Sequence, residues 1–516
     1  MTRAKVNRRT FLTAATAATV ATQALATRPA AAAEPTDVII IGSGYAGSTA
    51  ALRLSQAGVP NTVLERGRRW TITEDGNTFC TGSNPDGRAL WLGGTSPVLD
   101  RNVSRYTGVL ETVVGLGIIC LAGAGVGGGS LVNNAVMMEP DEADFARAFG
   151  NRIGYGSMHQ TWYPRARTLI GPSPIHDDIL NSAYYENARQ AQAELGAAGI
   201  PALRADLAVD WSIVRDEIAG AATPSLITGQ CIFGVNSGAK RSVDQTILAE
   251  AENTGHTHVR ELTAVTDITR TGNGYEVAVQ KLDTTGAVVQ RQTLRAKKVI
   301  LAAGSLNSTL LLLRARAKGT IPGLPPAIGS QWGTGGDGIV LFGGRKNPQP
   351  AVGGPAHIVG RYQAASGLPV GLLNFPLGVP LIDSVARESL AVGHVPPIGR
   401  LSRTSSDRIL PYWPQHHREA LAARTAMGEM VRKIDNAAPD RDAWLSTQLL
   451  TSHALGGATL SDVTDNAGRV SGTQDLFVMD SSLIPGSTGG VPPALTVTAL
   501  ADRCITTGLE EGAFAA

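Results

Sequence analysis

Charge and aromatic side chains are both scarce in this chain: charged residues make up 17% and aromatics 5% of its 516 residues, and the formal net charge is +2. A chain so nearly balanced offers no broad basic face for nucleic acid and no acidic tail, which leaves small molecules as the expected partners. Cysteine is scarce as well. Cys80, Cys120, Cys231 and Cys504 are far apart and form no CxxC pair, so no metal site and no disulfide scaffold is expected, and at most one disulfide. Long apolar runs are missing too: no stretch reaches the roughly 20 residues needed to cross a bilayer. This predicts a soluble mature protein and leaves a peripheral membrane contact open. A GxSxG nucleophile elbow is also absent, so hydrolysis has no support.

What is abundant is glycine, 60 residues without a collagen-like or repeat period, which points to tight turns and close backbone approaches to a ligand. At this length, two domains or one elaborated domain are expected. The first 33 residues are a separate object. Arg8-Arg9-Thr10-Phe11-Leu12 precedes a mildly apolar Ala/Thr run, and A-x-A sites stand at Ala24-Leu25-Ala26 and Ala31-Ala32-Ala33. These are the parts of a twin-arginine export signal, predicting secretion. Gln23 and Arg28 interrupt the run too early for a membrane anchor.

Between Asp37 and Glu65 the chain reads DVIIIGSGYAGSTAALRLSQAGVPNTVLE: an apolar strand, three spaced glycines, an amphipathic helix, and an acid closing a second strand. Gly42 permits the tight turn, Gly44 lets the backbone approach a pyrophosphate, and Gly47 lets the helix pack on the strand; Tyr45 opens that helix. The first turn of the helix aims free N–H groups at phosphates. Glu65, eighteen residues past Gly47, is placed to accept hydrogen bonds from the adenosine ribose hydroxyls. The pattern marks a dinucleotide grip without choosing between NAD and FAD.

Further along, GAGVGGGSLVNNAVMMEP from Gly123 to Pro140 is a backbone able to lie flat against a planar or anionic group. Helices are expected over Ala183 to Glu194, Ser242 to Glu252, Ser308 to Ala317, His417 to Ala437 and Ala494 to Leu509. Strands are expected at His258 to Thr269, Tyr275 to Gln280, Gln290 to Leu301 and Leu476 to Asp480, and an antiparallel sheet with long loops between Gly323 and Arg400. The fold class is therefore α/β, α+β overall. A discontinuous Rossmann-like nucleotide domain is expected from segments 35–67, 241–331 and 468–516. A substrate domain built on an antiparallel sheet with helices, from 68–240 and 332–467, is inserted between them.

GSGYAGSTAALRL, GVGGGSLVN, AAGSLNSTLLL, TSHALGGATL and DSSLIPGSTGG followed by TVTALADR occur in that order. Together they resemble the glucose-methanol-choline family of FAD-dependent oxidoreductases, and within it the bacterial cholesterol oxidases. The resemblance covers essentially the whole chain after the signal, and it implies FAD. It places Gly127, Gly128, Gly129 and Asn133 against the pyrophosphate and isoalloxazine, the backbone of Val265 at the adenine, and Asp480 near the ribityl and pyrophosphate part. It makes His453, in SHALGG, the catalytic residue: an imidazole beside the flavin that holds or deprotonates the alcohol while hydride passes to flavin N5. It further implies a sterol or similarly apolar alcohol as substrate, O2 as acceptor, and a monomer.

Two departures from the family pattern stand at the substrate end. Where cholesterol oxidases carry an asparagine before the proline leading into the last helix, this chain has Pro492, which offers neither a side-chain amide nor a backbone N–H. Where they carry the glutamate that moves a proton during double-bond isomerisation, this chain has Leu373 with Asn374 beside it, and no carboxylate pair stands out as a substitute. Oxidation of a sterol without isomerisation is the leading expectation. Oxidation of a non-sterol alcohol, and a flavin-holding sterol- or lipid-binding protein with little turnover, are the alternatives.

Overall fold

The computed structural model describes residues 36–96, 101–343, 353–355, 357–383, 386–437, 443–445 and 449–515. The export signal lies outside the described residues.

The chain opens as expected: strand β1 (Thr36–Ile41) is buried from Val38 onward, helix α1 (Tyr45–Gln56) follows the glycine turn, and β2 (Asn61–Leu64) returns parallel to β1. Then come β3 (Thr257–Arg260), β4 (Thr263–Thr271), β5 (Gly274–Leu282), β6 (Val288–Leu301) and helix α2 (Gly304–Lys318). The single strand expected over His258 to Thr269 is broken because Leu262, with φ 50°, turns the chain so that Thr263 N–H can reach Glu65 O. The helix expected from Ser242 begins only at Ile247. The residues before it are engaged elsewhere, Val243 N–H donating to Ser130 Oγ in the second glycine loop.

The second sheet is built from β7 (Asp337–Phe342), β8 (Ile358–Gln363), β9 (Pro369–Asn374) and β10 (Arg387–Gly393), with helix α3 (Arg418–Asn436) contributing the buried side chains Met427, Met430 and Ile434. The chain closes with β11 (Leu476–Val478) and helix α4 (Ala494–Glu510).

One sheet runs in the order β3-β2-β1-β6-β5-β4, with β11 joining β6; β3, β2, β1, β6 and β11 are parallel neighbours, while β5 and β4 are antiparallel additions. Its strands thus come from the start, the middle and the end of the chain. The other sheet is antiparallel, with β7, β10, β9 and β8 side by side, flanked by Ala443–Leu445 and Ala202–Arg204. Ile39, Ile40, Val299, Ile300 and Phe477 form the middle of the first sheet's core, each essentially without exposure.

The two terminal helices are clasped at a buried charge. Asp502 on α4 accepts from Arg53 Nε on α1 at 2.6 Å and from Arg165 Nε at 2.7 Å. Burial alone would raise its pKa, but the two guanidinium groups hold the carboxyl below its ordinary value. Among the described residues no helix is long and apolar enough to cross a membrane, and the four cysteines are buried and unpaired.

Candidate active site

A cavity of about 560 Å³ runs from the parallel sheet to one face of the antiparallel sheet. Two glycine loops shape its near end. Gly42, at φ 103°, lies so close to Ala302 O that a Cβ would sit 2.3 Å away, and a Cβ on Gly47 would sit 2.0 Å from Gly42 O. Those two glycines therefore set strand–helix packing. Gly44 instead faces the second loop, where a Cβ on Gly128 would come within 2.8 Å of Gly44 Cα. Gly44, Tyr45, Gly128, Gly129 and Asn133 all line the cavity, and Asn133 Nδ2 donates to the Tyr45 hydroxyl at 2.9 Å.

Gly127, expected against the pyrophosphate, does not line the cavity: its N–H donates to Ser43 Oγ at 3.1 Å, behind the loop. Ser43 was not singled out from sequence, yet it ties the two motifs together. Its hydroxyl also donates to Glu65 Oε2 at 2.8 Å, while Gly67 N–H holds Oε1 at 2.8 Å. Glu65 is thereby fixed at the end of β2, beside Val265, and both line the cavity.

Asp480 follows β11 and is wholly occupied by protein donors. Its Oδ2 accepts from Gly304 N–H at 2.8 Å and from Ser308 Oγ, and its Oδ1 accepts from Ser482 N–H at 2.8 Å. Burial raises its pKa against the opposing pull of these hydrogen bonds. It binds the first turn of α2 to the end of β11 at the cavity wall. The opening turn of α4 is at the same wall, with Pro492, Pro493 and Ala494 lining it. The first N–H groups of this 17-residue helix have no carbonyl one turn earlier to meet, so its positive end favours negative charge there.

His453 lines the cavity between the two sheets. Its Nδ1 donates to Asp337 Oδ1 at 2.6 Å, and Asp337 Oδ2 accepts from Ser452 N–H at 2.9 Å and lies 3.0 Å from Thr451 Oγ1. The Asp337 side chain is 1% exposed. A carboxylate on Nδ1 fixes the tautomer and ring plane and leaves Nε2 as the nitrogen for chemistry. Asp337 went unnoticed in the sequence because it lies 116 positions from His453. The signal for it was an acid at the inward-facing start of the apolar strand DGIVLF.

The antiparallel sheet supplies the far wall. Successive residues point to opposite faces, so Leu373 and Phe375 line the cavity while Asn374 does not. Asn374, expected at the substrate, turns its Oδ1 to accept from Ile358 N–H at 3.1 Å on the neighbouring strand. On β10 the inward positions are Leu390 and Glu388. Glu388 is 1% exposed, its carboxyl is paired with that of Asp383, and burial together with the Asp383 charge and hydrogen bond pushes its pKa up to about 9. Glu388 thus adds to the cavity wall one carboxyl that was not picked out in the sequence, while its partner Asp383 does not line the cavity. RESLAVG carried the clue, a charged residue in register with the apolar inward positions of a strand.

Residues 36–329 and 405–501 match the two conserved regions of the GMC oxidoreductases. The chain belongs to the GMC oxidoreductase family. Among its relatives are a cholesterol oxidase of Mycobacterium tuberculosis, 27% identical over 90% of each chain, and a cholesterol oxidase of Acinetobacter baumannii, 25% identical over 91% of this chain and 93% of that one. A long-chain-alcohol oxidase of Arabidopsis thaliana is 26% identical over 55% of this chain and 34% of its own. Among solved structures, pyridoxine 4-oxidase from Mesorbium loti shares the fold with a TM-score of 0.63 at 17% identity, covering 92% of this chain and 99% of that one. A fungal aryl-alcohol oxidase does so with a TM-score of 0.60 at 14% identity, over 92% and 99%. Members of the GMC oxidoreductase family generally bind FAD. The residues here fit that group: two facing glycine loops, two helix N-termini and an anchored Glu65 converge on one elongated cavity.

Proposed function

We propose that this protein is an FAD-dependent oxidase of a bulky apolar alcohol, a secondary sterol alcohol first among candidates. The observation that carries the reading is that the His453–Asp337 pair opens onto the same cavity as the two glycine loops. Glu65 and Val265 would hold the adenosine end of FAD, Gly44, Gly128 and Gly129 the pyrophosphate, and Asn133 with the first turn of α4 the ring end. When bound, FAD supplies the hydride acceptor and passes electrons on to O2. His453 Nε2 takes the hydroxyl proton of the alcohol, and Asp337 stabilises the imidazolium that results. The apolar side chains Ile339, Leu341, Leu373 and Leu390 cover the body of the substrate and exclude water. Isomerisation is not part of the proposal, because Leu373 places no base near the carbinol.

A flavin-holding lipid-binding protein with little turnover is the second reading, favoured by Pro492, which lines the cavity without a donor. Anaerobic mixing of the purified protein with cholesterol and with long-chain alcohols separates the two. Bleaching of the flavin spectrum supports the oxidase, and binding without bleaching over hours supports the second reading. We further propose export through the twin-arginine route, supported by Arg8 and Arg9 ahead of the Ala/Thr run. N-terminal sequencing of secreted material, with Arg8→Lys and Arg9→Lys as the control, tests it.

A further inference from the structure

Alternate positions on β7 and β10 fall into rows on one face of the antiparallel sheet. Asp337 pairs with Val392, Ile339 with Leu390, and Leu341 with Glu388. Asp337, which holds His453, and the Glu388 row are four residues apart along β7, about 13 Å of strand. Between them the wall is apolar: Ile339, Leu373 and Leu390. The cavity therefore has two polar poles, one at His453 and one at Glu388, separated by a hydrophobic middle.

The second pole is a pair of carboxyl groups, of which only Glu388 lines the cavity. Asp383, close to Glu388, has both oxygens engaged, accepting from Leu377 N–H at 3.0 Å and from Val379 N–H at 2.7 Å. Glu388 meets no N–H or hydroxyl donor among the described residues, and its side chain is hydrogen-bonded to Asp383. Its surroundings keep the carboxyl protonated at neutral pH; the O–H donates to Asp383, and the carbonyl oxygen is left as an acceptor toward the cavity. At this spacing it cannot serve the carbinol proton, which falls to His453. A leucine at the same position would have completed the apolar wall.

Resting on the reading of this cavity as an alcohol site, we propose that its substrate carries a second oxygen function, a hydroxyl on the order of 10 Å from the carbinol carbon, which donates a hydrogen bond to the Glu388 carboxyl. Glu388 is then a specificity residue, and the substrate class is an apolar molecule oxygenated at both ends.

Two matched pairs test this: a steroid alcohol with a second hydroxyl at the opposite end of the ring system against the same steroid without it, and decanediol against decanol. kcat/KM is measured on wild-type, Glu388→Gln and Glu388→Leu holoenzymes. Dissociation constants are measured by calorimetry on the His453→Ala holoprotein with and without Glu388→Leu. Flavin content confirms that each variant is folded. The wild type is expected to favour the doubly oxygenated member of at least one pair by tenfold or more. Glu388→Leu should bring the ratio to about one, and Glu388→Gln, which keeps a carbonyl acceptor, should retain part of it. Equal handling of both members by the wild type, a preference unchanged in Glu388→Leu, or no binding of any of the four compounds overturns the inference. Discrimination in binding with no turnover of any compound would instead remove the oxidase reading while leaving the role of Glu388 intact.

Discussion

Asp337 Oδ1 lies 2.6 Å from His453 Nδ1, and the acid is buried while the ring borders the cavity. The acid joins the first strand of the antiparallel sheet to the loop that carries the imidazole. Asp337→Asn preserves shape but offers the ring an amide that can donate to Nδ1 and favour the wrong tautomer. It should lower the rate of anaerobic flavin bleaching by about 10²–10⁴-fold. Stopped-flow absorbance measures that loss, and an unchanged flavin content in the same sample shows that the fold is intact.

The two spaced glycines of the first loop should respond differently to alanine. Gly42→Ala forces a Cβ to 2.3 Å from Ala302 O at a φ of 103°, whereas the nearest atom to a Cβ on Gly44 is Gly128 Cα at 3.9 Å. The first substitution should abolish soluble folded protein or cost about 3 kcal/mol or more. The second should fold normally and lose flavin on dilution. Thermal melts and flavin release during gel filtration distinguish the two.

Acid should destabilise the protein through two histidines of the antiparallel sheet region. Burial pushes His357 and His394 down to about 4, the latter with help from Arg147. Between about pH 6.5 and pH 4 the unfolded chain binds protons that the folded chain refuses, so stability falls as pH drops, by up to about 1.4 kcal/mol per unit for each group. Melting temperature followed from pH 7 to pH 4 should show a slope that becomes shallower in His357→Gln and again in the double variant with His394→Gln.

Glu388 should act in the opposite direction. Its folded pKa is raised above the unfolded value, so its proton stabilises the fold at low pH, and that contribution is lost as pH rises towards about 9. Glu388→Gln should therefore match the wild-type melting temperature near pH 4.5 and exceed it increasingly up to pH 9. A constant offset across that range would contradict a neutral buried acid.

Local patterns made the nucleotide end legible. In the first βαβ unit, strand, turn, helix and acid are contiguous, so the places of Gly42, Gly44 and Glu65 in the fold were readable without a tertiary partner. The substrate end depends on register between strands far apart in the chain. Asp337 reaches His453 across 116 positions, and Glu388 becomes an inward residue only because β10 pairs with β9 and β7 in that frame. Leu373 and Asn374 show the same limit: both stood at the expected place, but the two-residue period of a strand sends only Leu373 to the cavity. Gly127 departs from expectation for the same long-range reason, since the hydroxyl of Ser43, 84 positions earlier, takes up the amide that the glycine run was expected to offer a phosphate.

The first sheet also sets a schedule for synthesis. β1 is made at the beginning of the chain, yet its inner neighbour β6 begins only at Val288, and the strand beyond that at Leu476. At ordinary translation speeds, roughly 250 intervening residues take about 10–50 s, during which an apolar strand and its glycine loop have emerged without the partner that buries them. The dinucleotide grip, though encoded first, can close only among the last events of folding.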